Sequence, residues 1–172
     1  MRTLERPGLF RAVPIDWSVQ ELPSGDPIVR VHFECREVYE NEAWRDLADR
    51  RMVRGDFFVL KKGGATNEGV VSSLVKHLGW NGAFAQILDN PCPPESGIVQ
   101  VEVEAREFKG KTYCQVKWIN GANAKPKGAG IGHSEVRDLD KKYGGDLQKL
   151  AKKFSAQKPA DDHPVDTSSI PF

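Results

Sequence analysis

Basic residues recur along this chain of 172 residues, and several of them lie close in sequence to an aromatic residue. The candidates for a ligand-binding site are Arg30, His32, Arg36, Phe57, Phe58, Lys61, Lys62, Phe108, Lys109, Lys111, Lys125 and Lys127. Cationic side chains hold phosphate oxygens, and exposed rings stack on unpaired bases without requiring a particular sequence. These residue types therefore favour noncovalent recognition of a nucleic acid over covalent chemistry.

A plainer interpretation of the same residues is also open. Arg and Lys on strands commonly solvate an exposed sheet face, and a Phe at a turn commonly packs within its own loop. Glu102 and Glu104, on the outer face of a later predicted strand, also interrupt any continuous basic surface.

Other kinds of site are poorly supported by the sequence. Cys35, Cys92 and Cys114 are widely spaced and include no Cys-x-x-Cys pair, which argues against a zinc site or a disulfide framework. The histidines are scattered, and the Gly-rich segment 128–132 lacks the Gly-Lys-Ser/Thr ending of a phosphate-binding loop. We therefore expect no enzymatic activity, no cofactor and no bound metal.

Alternating apolar and polar residues predict the strands that would position these side chains. Within the second of them, Arg30, His32 and Arg36 lie opposite an apolar face. Because neighbours on a strand face opposite sides, either Phe57 or Phe58 must point outward. The first three predicted strands are 9–19, 28–39 and 57–62.

Helices are predicted where apolar residues recur at intervals of three or four. One helix follows a cap at Thr66 or Asn67 and ends at Gly79. The charged segment 41–51 also favours a short helix, and 83–88 is a short apolar segment. Residues 134–154 are predicted to be mostly helical, with a break at Gly144 and Gly145.

A hairpin with its turn at Lys109 and Gly110 is predicted from the pairing of apolar residues. The expected register pairs Ala105 with Cys114, Val103 with Val116, Val101 with Trp118, Glu102 with Lys117 and Glu104 with Gln115. Its tip, residues 108–111, carries the aromatic Phe108 together with Lys109 and Lys111.

The element order of three strands, one helix and two strands is that of a five-stranded Greek-key barrel of the oligonucleotide-binding (OB) type. We predict a mainly β fold with added helices, in which the helix lies between strands 3 and 4. The predicted parts are an OB-fold domain over 1–133, a C-terminal helical extension over 134–154, and a disordered linker and tail over 155–172. In such barrels, strands two and three and the loops joining strands one to two and four to five form the nucleic-acid groove.

The charge is uneven along the chain. Its formal net charge is +1, but three aspartates give the segment after Lys158 a charge of −3 and leave +4 on the remainder. A mildly basic body with an acidic end is typical of a polyanion binder whose tail competes with, or points away from, the binding surface. No apolar run suits a membrane helix or a secretion signal, so we expect a cytoplasmic protein.

Residues 161–172, DDHPVDTSSIPF, resemble the acidic C-terminal tail of bacterial single-stranded DNA-binding proteins, which ends in Ile-Pro-Phe. Thr167–Ser169 separates the aspartates from that triplet, whereas the family usually has them adjacent. The body looks more like the divergent family members of bacteriophages. The resemblance implies that partner proteins bind Asp161, Asp162, Asp166, Ile170, Pro171 and Phe172.

We therefore expect a protein that binds and protects single-stranded DNA, with little sequence specificity, during replication, recombination or repair. The resemblance implies partners such as helicases, nucleases and polymerase subunits, and a nucleoid-associated location in a bacterial cell or phage-infected host. A homo-oligomer is an open alternative to a monomer. Two other functions stay open, a protein-recruitment adaptor and an RNA-binding OB module.

Overall fold

Five long strands close into a barrel in the first of two compact units, Met1–Gly128 and Ala129–Phe172. The computed structural model describes residues 2–126 and 133–156. The strands are β1 Arg2–Thr3, β2 Gly8–Glu21, β3 Pro27–Glu40, β4 Ala43–Phe58, β5 Val99–Phe108 and β6 Lys111–Gly121.

The strand pairing has the topology that the sequence predicts. Neighbours in the sheet follow the order β1-β4-β3-β2-β5-β6, and a parallel pairing of β4 with β6 at Arg54 and Gln115 closes the barrel. The helix α1, Glu68–Leu78, lies in sequence between the third and fourth barrel strands. The prediction of a mainly β, OB-like barrel is therefore confirmed.

Alternate side chains of the strands fill the barrel interior. On β3, Val29, Val31 and Phe33 are fully buried, and the Phe33 ring meets the Phe57 ring edge-on with 6.4 Å between centroids. Aromatic pairs in this arrangement stabilise a core beyond the area that they bury. The side chains between these positions face outward, which is how β3 presents its charged residues.

The prediction of a helix over 41–51 is wrong, because most of this segment belongs to β4. Asn41 and Glu42 have φ of 51° and 62° and form a two-residue turn between β3 and β4. Trp44 then lies opposite Tyr39, with their ring centroids 5.2 Å apart, and Arg11 lies over the Trp44 ring. Pairing with β3 thus outweighs the local helical spacing. The third barrel strand, predicted over 57–62, is β4, which begins at Ala43 and ends at Phe58.

The other helices largely follow the prediction. Asn67 precedes α1 but donates its Nδ2 hydrogen bond to the carbonyl of Phe58, and Gly79 ends the helix with a φ of 71°. The short helix α2 is Phe84–Asp89. The predicted break near residue 144 is wrong, since a π-helical segment, Asp140–Gly144, joins α3 (His133–Leu139) to α4 (Gly145–Ala156).

The hairpin register is confirmed near its tip and wrong near its base. Ala105 pairs with Cys114, Val103 with Val116, and Glu104 with Gln115, as predicted. A β-bulge at Lys117 then shifts the pairing, so Val101 lies opposite Ile119 and Glu102 opposite Trp118. The extra residue buries Ile119 and turns Trp118 outward. Lys117 Nζ nevertheless lies 4.0 Å from Glu102 Oε1.

Among the helices that the structure describes, none is both long and apolar enough to cross a bilayer.

Candidate nucleic-acid interface

An open groove of about 530 Å³ lies between β4 and the outer half of the β5–β6 hairpin. It is lined by Arg54, Arg106, Glu107, Phe108, Tyr113 and Gln115. The hairpin register places Arg106 opposite Tyr113, and the barrel closure places Arg54 beside Gln115. The groove therefore combines side chains that lie far apart in sequence.

Two aromatic rings of the groove are exposed to solvent. Phe108 is 63% exposed and Tyr113 is 50% exposed, although both residues belong to paired strands. Residues 106 and 108 share one face of β5 because strand side chains alternate, and Tyr113, which pairs with Arg106, presents its ring on the same face of the hairpin. Two rings that are held on paired strands and exposed to solvent can each stack on a base.

Four cationic side chains surround the rings. Lys109 Nζ lies 5.3 Å from the centre of the Phe108 ring, and Lys111 pairs with Phe108 across the hairpin turn. Arg106 donates to Glu104 Oε1 at 2.5 Å, and the Arg54 side chain, half exposed, lies 3.5 Å from Asp56. Both arginines are at least half exposed, and Asp56 keeps its two hydrogen bonds from Arg30, so the Arg54 guanidinium can turn to a phosphate without leaving that carboxylate unpaired.

The cations predicted on the second barrel strand lie on its outer face, but each of them meets an acidic side chain. Arg30 forms two hydrogen bonds with Asp56, at 2.7 and 3.1 Å. The hydrogen bond to Asp56 raises the pKa of Arg30 above its ordinary value, against the opposing effect of burial. His32 Nδ1 lies 3.2 Å from Asp16 Oδ2. Much of the positive charge on this part of β3 is therefore compensated.

Arg36 is compensated in the same way. Its Nε donates to Glu34 Oε1 at 3.2 Å, and Arg50 donates to the same oxygen at 2.9 Å. Because the Glu34 carboxylate is largely buried, these two hydrogen bonds satisfy it within the protein. Arg36 is thus held by an internal partner rather than directed into the groove.

Of the two adjacent phenylalanines, Phe58 is the outward one. It is 42% exposed and lies opposite Ile28, whereas Phe57 is 3% exposed in the barrel core. The inclusion of Phe57 among the contact residues is therefore wrong, because the alternation of β4 turns its ring toward Phe33.

The remaining predicted contacts fall into two groups. Lys61 and Lys62 are exposed in the turn that follows β4, where the Lys61 backbone bonds to Ala65, and Lys125 is exposed beyond β6. The others lie outside the described residues. They are Lys127 and the predicted partner-binding residues Asp161, Asp162, Asp166, Ile170, Pro171 and Phe172.

Of the six residues that line the groove, only Phe108 was a sequence candidate; Arg54, Arg106, Glu107, Tyr113 and Gln115 were not. The predicted register already places Arg106 opposite Tyr113, so this pair could have been found from the sequence. Arg54 could not have been found in this way. The prediction of a helix over 41–51 left out most of β4, and with it the barrel closure that positions Arg54.

A second, smaller hollow of about 240 Å³ lies between α1 and β6. Trp118, Lys76 and His77 are among its lining residues, and Trp118 is 39% exposed beside Gly69. Burial, followed by the charge of Lys76, lowers the pKa of His77, which favours its neutral form. This hollow is lined by one exposed ring of β6 and one cation of α1.

The cysteines show no arrangement suited to catalysis. Burial, followed by the charge of Glu34, raises the pKa of Cys35 to about 12, which keeps it a thiol. Burial also raises the pKa of Cys114, and Cys92 donates its Sγ hydrogen to the carbonyl of Ile15. Over residues 2–126 and 133–156, no three His, Cys, Asp or Glu side chains are grouped to hold a metal ion.

Comparison with protein-family models gives no match, and comparison with curated proteins gives no significant one. The barrel type alone does not specify a ligand, because one fold serves many functions. A function must therefore be argued from the groove and its surroundings.

Proposed function

We propose that this protein binds and protects single-stranded DNA with little sequence specificity. The observation that carries the proposal is the groove at the barrel closure, where Phe108 and Tyr113 are exposed beside Arg54 and Arg106, with Lys109 and Lys111 at the adjoining hairpin turn. Rings stack on bases while the cations hold the phosphates between them.

An unpaired strand suits this groove better than a duplex does. In a duplex each base face is covered by the neighbouring base. The exposed rings of the protein could therefore stack on a duplex base only after that base had been unstacked. Stacking and phosphate contacts are also tolerant of sequence, because every base has an aromatic face and every nucleotide has a phosphate. These two contacts support broad recognition of single strands.

The proposed cellular role is in DNA replication, recombination or repair, in the cytoplasm of a bacterium or a phage-infected host. Its support is the resemblance of residues 161–172 to the acidic tail of bacterial single-stranded DNA-binding proteins. In this proposal the tail recruits replication or repair proteins while the barrel binds the strand. Removing Phe172 should then leave DNA affinity near normal and abolish binding of a partner to the tail.

Binding measurements with three ligands test the proposal. Fluorescence anisotropy of labelled single-stranded DNA, duplex DNA and RNA should be recorded at a low and a high salt concentration. We expect the tightest binding to single-stranded DNA and a steep loss of affinity with salt, because counterions are released on binding. Preference for RNA would favour the RNA-binding alternative, and no binding at low salt would favour the protein-recruitment adaptor.

A further inference from the structure

The hollow between α1 and β6 holds an exposed ring that the groove does not include. Trp118 lies there, and a Cβ added at Gly69 would come within 3.7 Å of its indole. Because Gly69 has no side chain, the first turn of α1 leaves the space beside the indole open. The buried Ser73 hydroxyl donates to the carbonyl of Ile119 at 2.9 Å, which fixes α1 against β6. The hollow is therefore built from two elements that are held together.

The polar side chains of the hollow suit a nucleotide. In the part of the chain that the structure describes, no acidic residue lines the hollow, and the Lys76 ammonium forms no ion pair. The indole N–H of Trp118 and the side chain of Asn120 have no hydrogen-bond partner among these residues either. By contrast, the three cations of β3 each meet an acidic side chain. The hollow thus offers a ring for a base and a cation for a phosphate.

The hollow and the groove border the same strand. Tyr113 and Gln115 of β6 line the groove, and Trp118 of β6 lines the hollow. Val116 and Ile119 point into the barrel interior, so these three side chains lie on its outer surface. A ligand that follows the outside of β6 therefore passes from the groove to the hollow.

The distance between the two sites matches a short stretch of nucleic acid. A strand rises about 3.4 Å per residue, so Tyr113 and Trp118 are at most about 17 Å apart along β6. A nucleic-acid strand advances about 3.4 Å per nucleotide in a duplex and further when it is unstacked, so about five nucleotides or fewer bridge the sites. Since an OB fold commonly binds about 4–16 nucleotides, one strand can occupy both sites.

Two glutamates of β5 lie beside this route, and both are met by a cation. Glu102 and Glu104 lie 4.0 and 3.9 Å from Lys117 Nζ, and Arg106 also donates to Glu104. Their carboxylates therefore repel a phosphate less than unpaired carboxylates would.

We propose that the hollow between α1 and β6 is a second subsite for the bound single strand, in which Trp118 stacks on a base and Lys76 binds a phosphate. This inference rests on the proposed function, because it extends the path of the same ligand. The strand then follows β6 from Tyr113 to Trp118 and leaves the outer face of β3 uncovered.

Intrinsic tryptophan fluorescence tests whether a base stacks in the hollow. Trp17 and Trp80 are buried, and Trp44 contacts Tyr39 and Arg11, so Trp118 is the tryptophan most open to a base. An oligothymidylate of about ten nucleotides should quench the fluorescence of the wild-type protein. Trp118→Phe should remove most of this quenching but keep the affinity within about threefold of wild type, because a phenyl ring still stacks.

Trp118→Ala removes the ring and should weaken binding of the same oligonucleotide about fivefold or more, as measured by anisotropy. The loss should be smaller for an oligonucleotide of about three nucleotides, which can stay in the groove without reaching the hollow. Phe84→Ala is the matched control, since Phe84 is exposed on α2 and lines neither site. Urea unfolding of each variant reports whether the fold persists.

Salt titrations test the role of Lys76. Lys76→Ala should lower the slope of log affinity against log salt by about 1, because one phosphate contact is lost. Arg45→Ala is the matched control for the loss of one positive charge, since Arg45 is exposed on β4 and lines neither site. Its slope should stay close to that of wild type.

Several results would overturn this inference. If Tyr113→Ala weakens binding and Trp118→Ala does not, the strand occupies the groove alone, and the proposed function stands without the second subsite. Quenching that persists in Trp118→Phe places the stacked base at another tryptophan. Equal slopes for Lys76→Ala and Arg45→Ala show that Lys76 binds no phosphate. If the wild-type protein binds no single-stranded DNA at low salt, the proposed function fails, and this inference fails with it.

Discussion

Arg54 and Arg30 both form an ion pair with Asp56, but only Arg30 is held by hydrogen bonds. Arg54 is half exposed and 3.5 Å away from Asp56, whereas Arg30 forms two hydrogen bonds with it. Replacing Arg54 by alanine should therefore reduce affinity for single-stranded DNA and lower the slope of log affinity against log salt by about 1, since one phosphate contact is lost. Binding titrations at several salt concentrations measure both quantities.

Arg30→Ala is the matched control for this prediction. Because it leaves the largely buried Asp56 carboxylate without its two hydrogen bonds, the free energy of unfolding should fall by about 1–2 kcal/mol. The salt slope should change less than for Arg54→Ala. If Arg30→Ala instead had the larger effect on the slope, the strand would contact the face of β3 rather than the groove.

The exposed rings of the groove should contribute more to binding than to stability. Replacing Phe108 or Tyr113 by alanine should lower the affinity for single-stranded DNA by about 1–3 kcal/mol each, with little change in unfolding, because neither ring is buried. Anisotropy titrations check the affinity, and urea unfolding checks the stability.

Phe84→Ala is the corresponding control, since Phe84 is 36% exposed on α2 and contacts Trp80 rather than the groove. Its replacement should leave the affinity unchanged. Equal losses for all three variants would mean that binding depends on general surface apolarity and not on the groove.

Cys35 should make stability fall at alkaline pH. Its thiol has a pKa of about 12 in the folded protein, against an ordinary value near 9.0, because of burial and then of Glu34. Between these values the unfolded chain loses the proton and the folded chain retains it, so unfolding becomes more favourable as pH rises. Well below pH 9 both states keep the proton and the effect is absent.

Comparison of wild type with Cys35→Ala isolates that effect. Under reducing conditions, the free energy of unfolding of wild type should fall by about 1–2 kcal/mol more than that of the variant between about pH 8 and pH 10.5. Equal falls in the two proteins would show that Cys35 ionises normally in the fold.

At the scale of elements, β4 depends on the absence of a side chain at Gly55. A Cβ at this position would lie 2.6 Å from the Phe57 ring and 3.1 Å from Val116 Cβ, both of them buried. Gly55→Ala should therefore lower the free energy of unfolding by about 1–3 kcal/mol, as overpacking of a core does.

Urea unfolding measures this change, and Gly97→Ala is a suitable control. No atom lies within 4 Å of a Cβ added at Gly97, so its replacement should be close to neutral. A neutral Gly55→Ala would mean that Phe57 and Val116 repack at no cost.

The elements differ in how far the sequence could predict them. The alternation in β2 and β3 and the spacing in α1 reflect a single buried face, so each of these elements was found with nearly correct ends. The segment 41–51 has helical spacing, and only its pairing with β3 makes it a strand. The bulge at Lys117 also escaped prediction, because it depends on whether Ile119 or Trp118 packs inside the barrel.

At the scale of the whole molecule, the element order was enough to predict the barrel, but the groove depends on its closure. The β4–β6 pairing joins Arg54 to residues of a hairpin about sixty positions later in the chain. Such a contact leaves no local pattern, which is why Arg54 was not a candidate, whereas Phe108, Lys109 and Lys111 were proposed from the hairpin sequence alone. The outward cations of β3 were found as well, but their acidic partners on other strands were not.

The uneven charge of the chain leads to a prediction about the acidic tail. Replacing Asp161, Asp162 and Asp166 by asparagine removes three negative charges, which changes the net charge from +1 to +4 without altering the length or the Ile-Pro-Phe ending. If the tail competes with nucleic acid for the basic body, this variant should bind single-stranded DNA several-fold more tightly at low salt. The gain should disappear at high salt, because screening suppresses interactions between exposed charges.

Deletion of Phe172 is the control for the tail, because it shortens the apolar end and leaves all three aspartates in place. Its affinity for single-stranded DNA should match that of wild type at both salt concentrations. A gain in affinity on deletion of Phe172 would mean that the apolar end, and not the charge, occupies the binding surface. If neither change altered the affinity, the tail would be directed away from that surface, and its acidic residues would act only toward other proteins.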